Sequence, residues 1–415
     1  MQRYKKSVKT TRNAFYFNKS SYFCNVLQIM MAGLYIHIPF CKSRCIYCGF
    51  YSTVNMELRQ RYVDAVCREM EMRPSLTASC RKERLETIYL GGGTPSQLTV
   101  HQLRQLFLQI EKVYQTPLPW GDDKSEMEVT IECNPDDITP SYAESLSQLP
   151  VNRVSMGVQT FNDSRLQFLH RRHNASQVPT AVRLLRNAGI RNISIDLMYG
   201  FPEETLDDWR HDVEEALALD VEHISAYCLM IEEGTVLYEQ MKNKKSGMNN
   251  EGEKEELERN MYELLIDRLT AAGYEHYEIS NFARPGFRSR HNSSYWRDVP
   301  YIGLGAAAHS YNIESRQWNV SDIMQYMEAI ERGELPLEQE MSDDDTHYND
   351  RITTALRTSD GLDLSTLSEK YRTYCMKEAQ RFLDDGLLCQ DGQRLILTRK
   401  GIFVSDFIMS ALICV

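Results

Sequence analysis

A chain of 415 residues is too long for one small hydrophobic core, so one large domain with one or two smaller ones is expected. Its hydrophobic share of 42% and charged share of 25% are those of an ordinary soluble globular protein, and a net charge of −11 excludes a surface that binds nucleic acid as a whole. The eleven cysteines are odd in number and only three are clustered, which argues against a disulfide framework and for reduced thiols in a cytoplasmic protein. No apolar run has the length of a membrane span; the nearest, residues 402–415, is short and interrupted by Ser405 and Asp406.

Residues 1–31 carry Arg3, Lys5, Lys6, Lys9, Arg12 and Lys19 and no acid. A basic targeting arm is one reading. A disordered extension, or a stretch upstream of a start at Met30 or Met31, is the preferred one. From residue 34, β-rich runs alternate with amphipathic segments. The runs span 34–39, 87–93, 128–135, 153–159, 193–200 and 223–230, and helices are expected at 57–72, 98–113, 176–188 and 205–219. That alternation implies an α/β fold with a parallel sheet and right-handed crossovers. Six such units predict a (β/α)6 partial barrel, with chemistry gathered at the carboxyl ends of its strands.

The polar stretch 242–256 reads as an exposed loop entering a helix over 254–272, which places the barrel at 32–272. Residues 273–340 read as a region that completes the barrel and connects it onward. Over 341–415, helices at 349–358, 364–371 and 375–386, a hairpin around Asp391-Gly392 and a helix after Gly401 suggest a mostly helical, winged-helix-like domain. DNA binding is one role for such a module. It lacks a basic stripe, so a packing or lid role is preferred.

Cys41, Cys45 and Cys48 stand at C-x3-C-x2-C spacing just after the first strand-like run. Thiolates suit zinc or iron–sulfur clusters. A structural zinc site is normally closed by four ligands, and His37, the nearest fourth candidate, lies within a strand two residues before Pro39. A [4Fe-4S] cubane held by three cysteines instead leaves one iron open. S-adenosylmethionine can chelate that iron through its amino and carboxylate groups and be cleaved by one electron to a carbon radical.

Other strand ends fit the same ligand. Gly91, Gly92, Gly93 and Thr94 follow the second run, where glycines allow close backbone approach and can present N–H groups to a carboxylate or ribose; a tight structural turn is the alternative. Glu132, Gln159 and Asp196 end three later strands, and Arg171 follows Gln159. Such groups can bind a cationic ligand or a ribose diol, or can form salt bridges at a barrel rim.

Together, YIHIPFCKSRCIYCGFYS, GGGTPS, GVQTF, IDLMYGFP, YEISNFARPG and IGLGAAAHSY resemble the HemN/HemW group of radical SAM proteins over roughly residues 31–410. The resemblance implies a radical SAM partial (β/α)6 barrel, a [4Fe-4S] cluster on Cys41, Cys45 and Cys48, and a C-terminal HemN-type domain. It further implies S-adenosylmethionine contacts at Tyr35, Tyr47, Gly92, Gly93, Thr94, Glu132, Gln159, Arg171 and Asp196, some of which belong to a second cofactor molecule in the oxidase branch.

That branch carries C-x3-C-x2-C-x-C, whereas Phe50 stands here at the fourth cysteine's position. The HemW branch carries H-N-x-x-Y-W, found here as His291-Asn292-Ser293-Ser294-Tyr295-Trp296. The resemblance therefore implies haem as cargo, delivered to acceptors such as respiratory proteins. A homodimer and peripheral membrane contact are compatible with that role, and no nucleic-acid partner is expected. Imidazole is a common axial ligand of haem iron and Tyr and Trp pack on flat rings, so His291 is the principal candidate ligand and His309 the second. A buried structural histidine is the competing reading of the motif. The competing function is an anaerobic coproporphyrinogen III dehydrogenase.

Overall fold

The computed structural model describes residues 30–74, 83–121, 126–242 and 251–414. Most of the basic extension and residues 243–250 of the stretch expected as an exposed loop therefore lie outside the described residues; residues 251–256 of that stretch belong to the helix Glu251–Ala271 instead. Six parallel strands form the expected scaffold: β1 (Met30–Ile38), β2 (Glu83–Gly92), β3 (Glu128–Cys133), β4 (Arg153–Gln159), β5 (Asn192–Tyr199) and β6 (His223–Cys228). They pair in chain order. β4 and β5 are buried on both faces, yet their sequences alternate: Val154, Met156 and Val158, like Ile193, Ile195 and Leu197, pack in the apolar core, while Arg153, Ser155, Gly157, Gln159 and Asp196 border the barrel interior. The helices Val100–Tyr114 and Leu206–Ala218 begin at capping boxes built on Thr99 and Thr205.

The sheet extends further than the six predicted units. Later strands are β7 (Glu275–Glu278), β8 (Asn281–Ala283), β9 (Tyr301–Leu304), β10 (His309–Tyr311), β11 (Ser315–Asn319) and β12 (Leu337–Met341). The order is β12-β11-β10-β9-β1-β2-β3-β4-β5-β6-β8-β7. β9 pairs parallel with β1, and β8 pairs antiparallel with β6. Residues beyond 273 thus supply both flanks of an open barrel.

Buried Glu69, on the helix Arg59–Met72, ties one flank down. It accepts from the Gly305 amide at 2.8 Å, Asn319 Nδ2 at 2.8 Å and the Tyr326 hydroxyl at 2.6 Å, and pairs with Arg73 at 3.3 Å.

Residues 344–414 carry a second apolar core and a small sheet of β13 (Leu362–Asp363), β14 (Leu388–Asp391) and β15 (Arg394–Leu397). The expected hairpin is present, with Asp391 ending β14 opposite Arg394 and Gly392 turning at φ +57°. The expected helices 364–371 and 375–386 are one 3-10 turn, Leu364–Thr366, and one helix, Glu369–Asp384. Ser368 is extended and begins that helix; Tyr371, Cys375, Ala379 and Phe382 then form a single buried stripe through the supposed break. Among the described residues, no helix is long and apolar enough to cross a membrane, and the cysteines are free thiols.

Candidate functional site

β1 ends at Ile38 and the chain enters the cysteine loop. A backbone clasp closes the loop: the Cys41 amide donates to Thr53 O at 2.9 Å and the Thr53 amide to Pro39 O at 2.7 Å. Between the cysteines, Ile46 is buried in an apolar cluster with Leu169, Phe201 and Leu237, and its backbone bonds to Leu169 and Leu237. The loop is thereby fixed while its three thiols stay partly exposed. Burial still raises the Cys41 and Cys48 thiols, opposed by Thr94 at Cys41 and by the Phe50 backbone at Cys48. Thr94 Oγ1 is 3.5 Å from Cys41 Sγ, and Arg171 Nη1 is 3.6 Å from Cys45 Sγ.

The glycine segment passes directly over the end of β1. Gly92 has φ +108°, and a Cβ there would lie 2.4 Å from the His37 ring. A Cβ on Gly93 would lie 2.7 Å from the Pro39 carbonyl carbon. The amides expected to face a ligand are engaged: Gly92 N–H donates to Glu132 at 3.1 Å, Gly93 to Ile38 and Thr94 to Phe40. The glycines therefore supply room rather than N–H donors. His37 is similarly committed, with Nδ1 to the Tyr35 hydroxyl and Nε2 to Tyr51 O, both at 3.0 Å, which removes it as a fourth metal ligand in this conformation.

A cavity of about 610 Å³ opens between the cysteine loop and the strand ends. Cys41, Cys45, Cys48, Tyr47, Gly92, Gly93, Thr94, Glu132, Gln159, Arg171 and Asp196 all border it. Exposed Phe50 and Met230 form part of its mouth. Glu132 accepts from the Tyr89 hydroxyl at 2.8 Å; burial pushes its carboxyl up to about 7, with Asp196 adding to the rise and Arg153 opposing it. Burial also raises Asp196, opposed by Ser225. Gln159 sits at φ +71°, a strained backbone for a non-glycine residue, beside a bulge in β4. Arg171 donates to Gly157 O and to Asn134 Oδ1 at 2.6 Å.

Tyr35 and His291 are not among the residues bordering the cavity; both pack on Tyr89, which is. The Tyr35 ring lies 6.2 Å from Tyr89 and the His291 ring 5.1 Å, both stacked. His291 is fully buried on the helix Arg290–Trp296, with Nδ1 to Thr87 Oγ1 and Nε2 to the Tyr295 hydroxyl, both at 2.8 Å. Burial, then Arg153, push its imidazole down to about 3. His309 is exposed and stacks 6.0 Å from Trp318.

Arg153 and Asn292 are among the lining residues that the sequence did not single out for this cavity. Arg153 borders the cavity at the start of β4, and Asn292 of the HNSSYW motif also borders it. Arg153 was findable: in RVSMGVQ it shares one strand face with Ser155, Gly157 and Gln159, and all four line the cavity. A second cavity of about 570 Å³ lies between the same helix and the C-terminal domain, bordered by Ser293, Trp296, Arg297, Arg351, Asp360 and Arg394 among others.

The radical SAM superfamily profile matches residues 35–216, and the HemN C-terminal domain profile matches residues 343–404. The chain is 34% identical over 393 residues to the heme chaperone HemW of Bacillus subtilis, covering 92% of this chain and 99% of that protein. It is 33% identical to the heme chaperone HemW of Lactococcus lactis, covering 88% and 93%, and 32% identical to that of Mycobacterium tuberculosis, covering 92% and 94%. Among solved structures, the coproporphyrinogen III oxidase HemN of Escherichia coli matches with a TM-score of 0.78 at 22% identity, covering 94% of this chain and 91% of that chain, a likeness of fold. A parallel-stranded partial barrel with three thiols at its mouth, followed by a HemN-type domain, agrees with these relatives along nearly its whole length: the chain belongs to the HemW family of the radical SAM superfamily.

Proposed function

We propose that this chain binds a [4Fe-4S] cluster and S-adenosylmethionine in the barrel cavity and that its output is the binding and hand-over of haem. The observation that carries the first half is the convergence of three partly exposed thiols, two acids, Gln159 and Arg171 on one cavity. Family membership carries the second half. Among the described residues, no three His, Cys, Asp or Glu side chains converge tightly enough to hold a single ion. A cluster that takes one thiolate per iron asks for no such convergence, so the donor set fits it better than it fits zinc. When bound, the cluster with its cofactor would supply one-electron chemistry at the open iron.

In this reading the chain's own groups do the following. Cys41, Cys45 and Cys48 hold the cluster, and the Arg171 guanidinium offsets thiolate charge at Cys45. Thr94 orients Cys41, while Gly92 and Gly93 let the cofactor approach the end of β1. Glu132, Gln159 and Asp196 meet the cofactor's amino and hydroxyl groups, Tyr47 closes one side, and Tyr35 supports Tyr89 from behind. Haem is cargo for acceptors such as respiratory proteins. A cytoplasmic location, a homodimer and peripheral membrane contact belong to the same reading.

His291 is the motif's axial ligand in this proposal, and it must first release Tyr295 or Thr87. Of the two candidates, His309 is the one accessible without rearrangement. The test is an anaerobic haem titration of the reconstituted full chain beside His291→Ala and His309→Ala, followed by absorption. Saturable binding with an altered spectrum in one variant supports the chaperone reading and assigns the ligand. No specific binding by the wild type, together with conversion of coproporphyrinogen III, would replace it with the oxidase reading.

A further inference from the structure

Arg153 opens β4 and is 1% exposed, yet neither its Nε nor its Nη1 has a hydrogen-bond partner. Two buried guanidinium N–H groups left in this state are costly, because no hydrogen bond replaces their lost hydration. The other arginines bordering the cavity differ. Arg171 bonds to Gly157, Asn134 and Cys45; Arg172 pairs with Asp136 and Asp137; Arg44 is exposed.

Arg153 borders the barrel cavity although it is almost fully buried. Ser155 and Gly157 are the next residues on its face of β4, and Ser225 borders the cavity from β6. The glycine-segment amides that could have met an anion are turned to Glu132 and to the end of β1. Glu132 and Asp196 feel the Arg153 charge, but neither hydrogen-bonds to Nε or Nη1. His223 and His291 feel it too, and each already uses both ring nitrogens.

We propose that Arg153 is the anion receptor of the barrel cavity and takes a carboxylate of the ligand that enters it. The proposal rests on the ligand-binding reading above. Carboxylate chemistry is common to the amino-acid end of S-adenosylmethionine and to the propionates of haem, and the experiment separates the two. The full chain, reconstituted anaerobically, is compared with Arg153→Met and Arg153→Lys. Affinities are measured for S-adenosylmethionine by calorimetry, and for haem and haem dimethyl ester by absorption. Melting temperatures are taken without ligand.

Arg153→Met is expected to lose at least tenfold affinity for one carboxylate ligand while melting no lower than the wild type, because buried N–H groups without hydrogen-bond partners have been removed. A loss confined to S-adenosylmethionine assigns its carboxylate. A loss for haem but not for its dimethyl ester assigns a propionate. Failure of the wild type to bind haem would sink the chaperone reading and leave the S-adenosylmethionine arm to decide Arg153. Unchanged affinities, or a lowered melting temperature with ligand binding intact, would overturn the proposal and make Arg153 a structural cation. If Arg153→Met does not fold, Arg153→Lys decides: a several-fold loss is expected, and undiminished affinity for both ligands overturns it.

Discussion

Glu132→Gln removes a carboxyl whose ionisation is opposed chiefly by burial. Its pKa stands near 7 against an ordinary 4.5, so the folded chain holds this proton more tightly than the unfolded chain does. Between those two values the native state binds more protons, and stability must fall as pH rises through that window. The shift corresponds to about 3 kcal/mol at pH 8.5, reduced to roughly 1–3 kcal/mol because Glu132 reaches the water of the cavity. Gln keeps an oxygen to accept from the Gly92 amide, and its amide can donate to Tyr89. The ligand-free variant should therefore unfold at higher denaturant than the wild type at pH 8.5 and lose that advantage near pH 4.5. Glu204, also pushed up to about 7 by burial, contributes equally to both proteins and cancels in the comparison. Chemical denaturation across pH 4.5–8.5 is the assay. A difference independent of pH, or a variant weaker than the wild type at pH 8.5, would refute the burial argument.

Alanine at Cys41, Cys45 or Cys48 should abolish iron–sulfur absorption and iron content after reconstitution while circular dichroism stays native, because these partly exposed thiols add little packing. Gly93→Ala would drive a Cβ into the backbone of Pro39 and Ile38 and should cost roughly 1–3 kcal/mol, read by thermal unfolding, with slower cluster uptake through the displaced Cys41. Glu69→Ala leaves Arg73, Asn319 and Tyr326 without their shared acceptor and should lower stability by about 3–5 kcal/mol in a denaturant series. His291→Ala strands Thr87 and Tyr295 and should cost roughly 2–4 kcal/mol, whereas exposed His309→Ala should change unfolding by no more than about 0.5 kcal/mol.

The sequence made the barrel visible because short strands with alternating apolar residues recur between amphipathic helical segments. It did not show β9, whose four residues, Tyr301–Leu304, are too short for any periodicity. Nor did it show the Glu69 network, which joins residues up to 257 positions apart. The cysteine loop, the glycines and the acids were legible because their types and spacing are chemically unusual. The direction of the glycine amides was not, since it depends on how closely β1 passes beneath them. Arg153 drew no attention in the sequence. Only the barrel's closure around it makes it a cavity residue. The C-terminal helices were divided wrongly because Ser368 was not read as a helix start.

The helix Arg290–Trp296 is a partition between two compartments. Asn292 faces the barrel cavity, Ser293 and Trp296 face the cleft to the C-terminal domain, and His291 is clamped between Thr87 and Tyr295. Space gained on one side of a shared wall is lost on the other. A ligand that shifts this helix therefore changes the free energy of filling the opposite compartment, and thermodynamic reciprocity makes the influence equal in both directions.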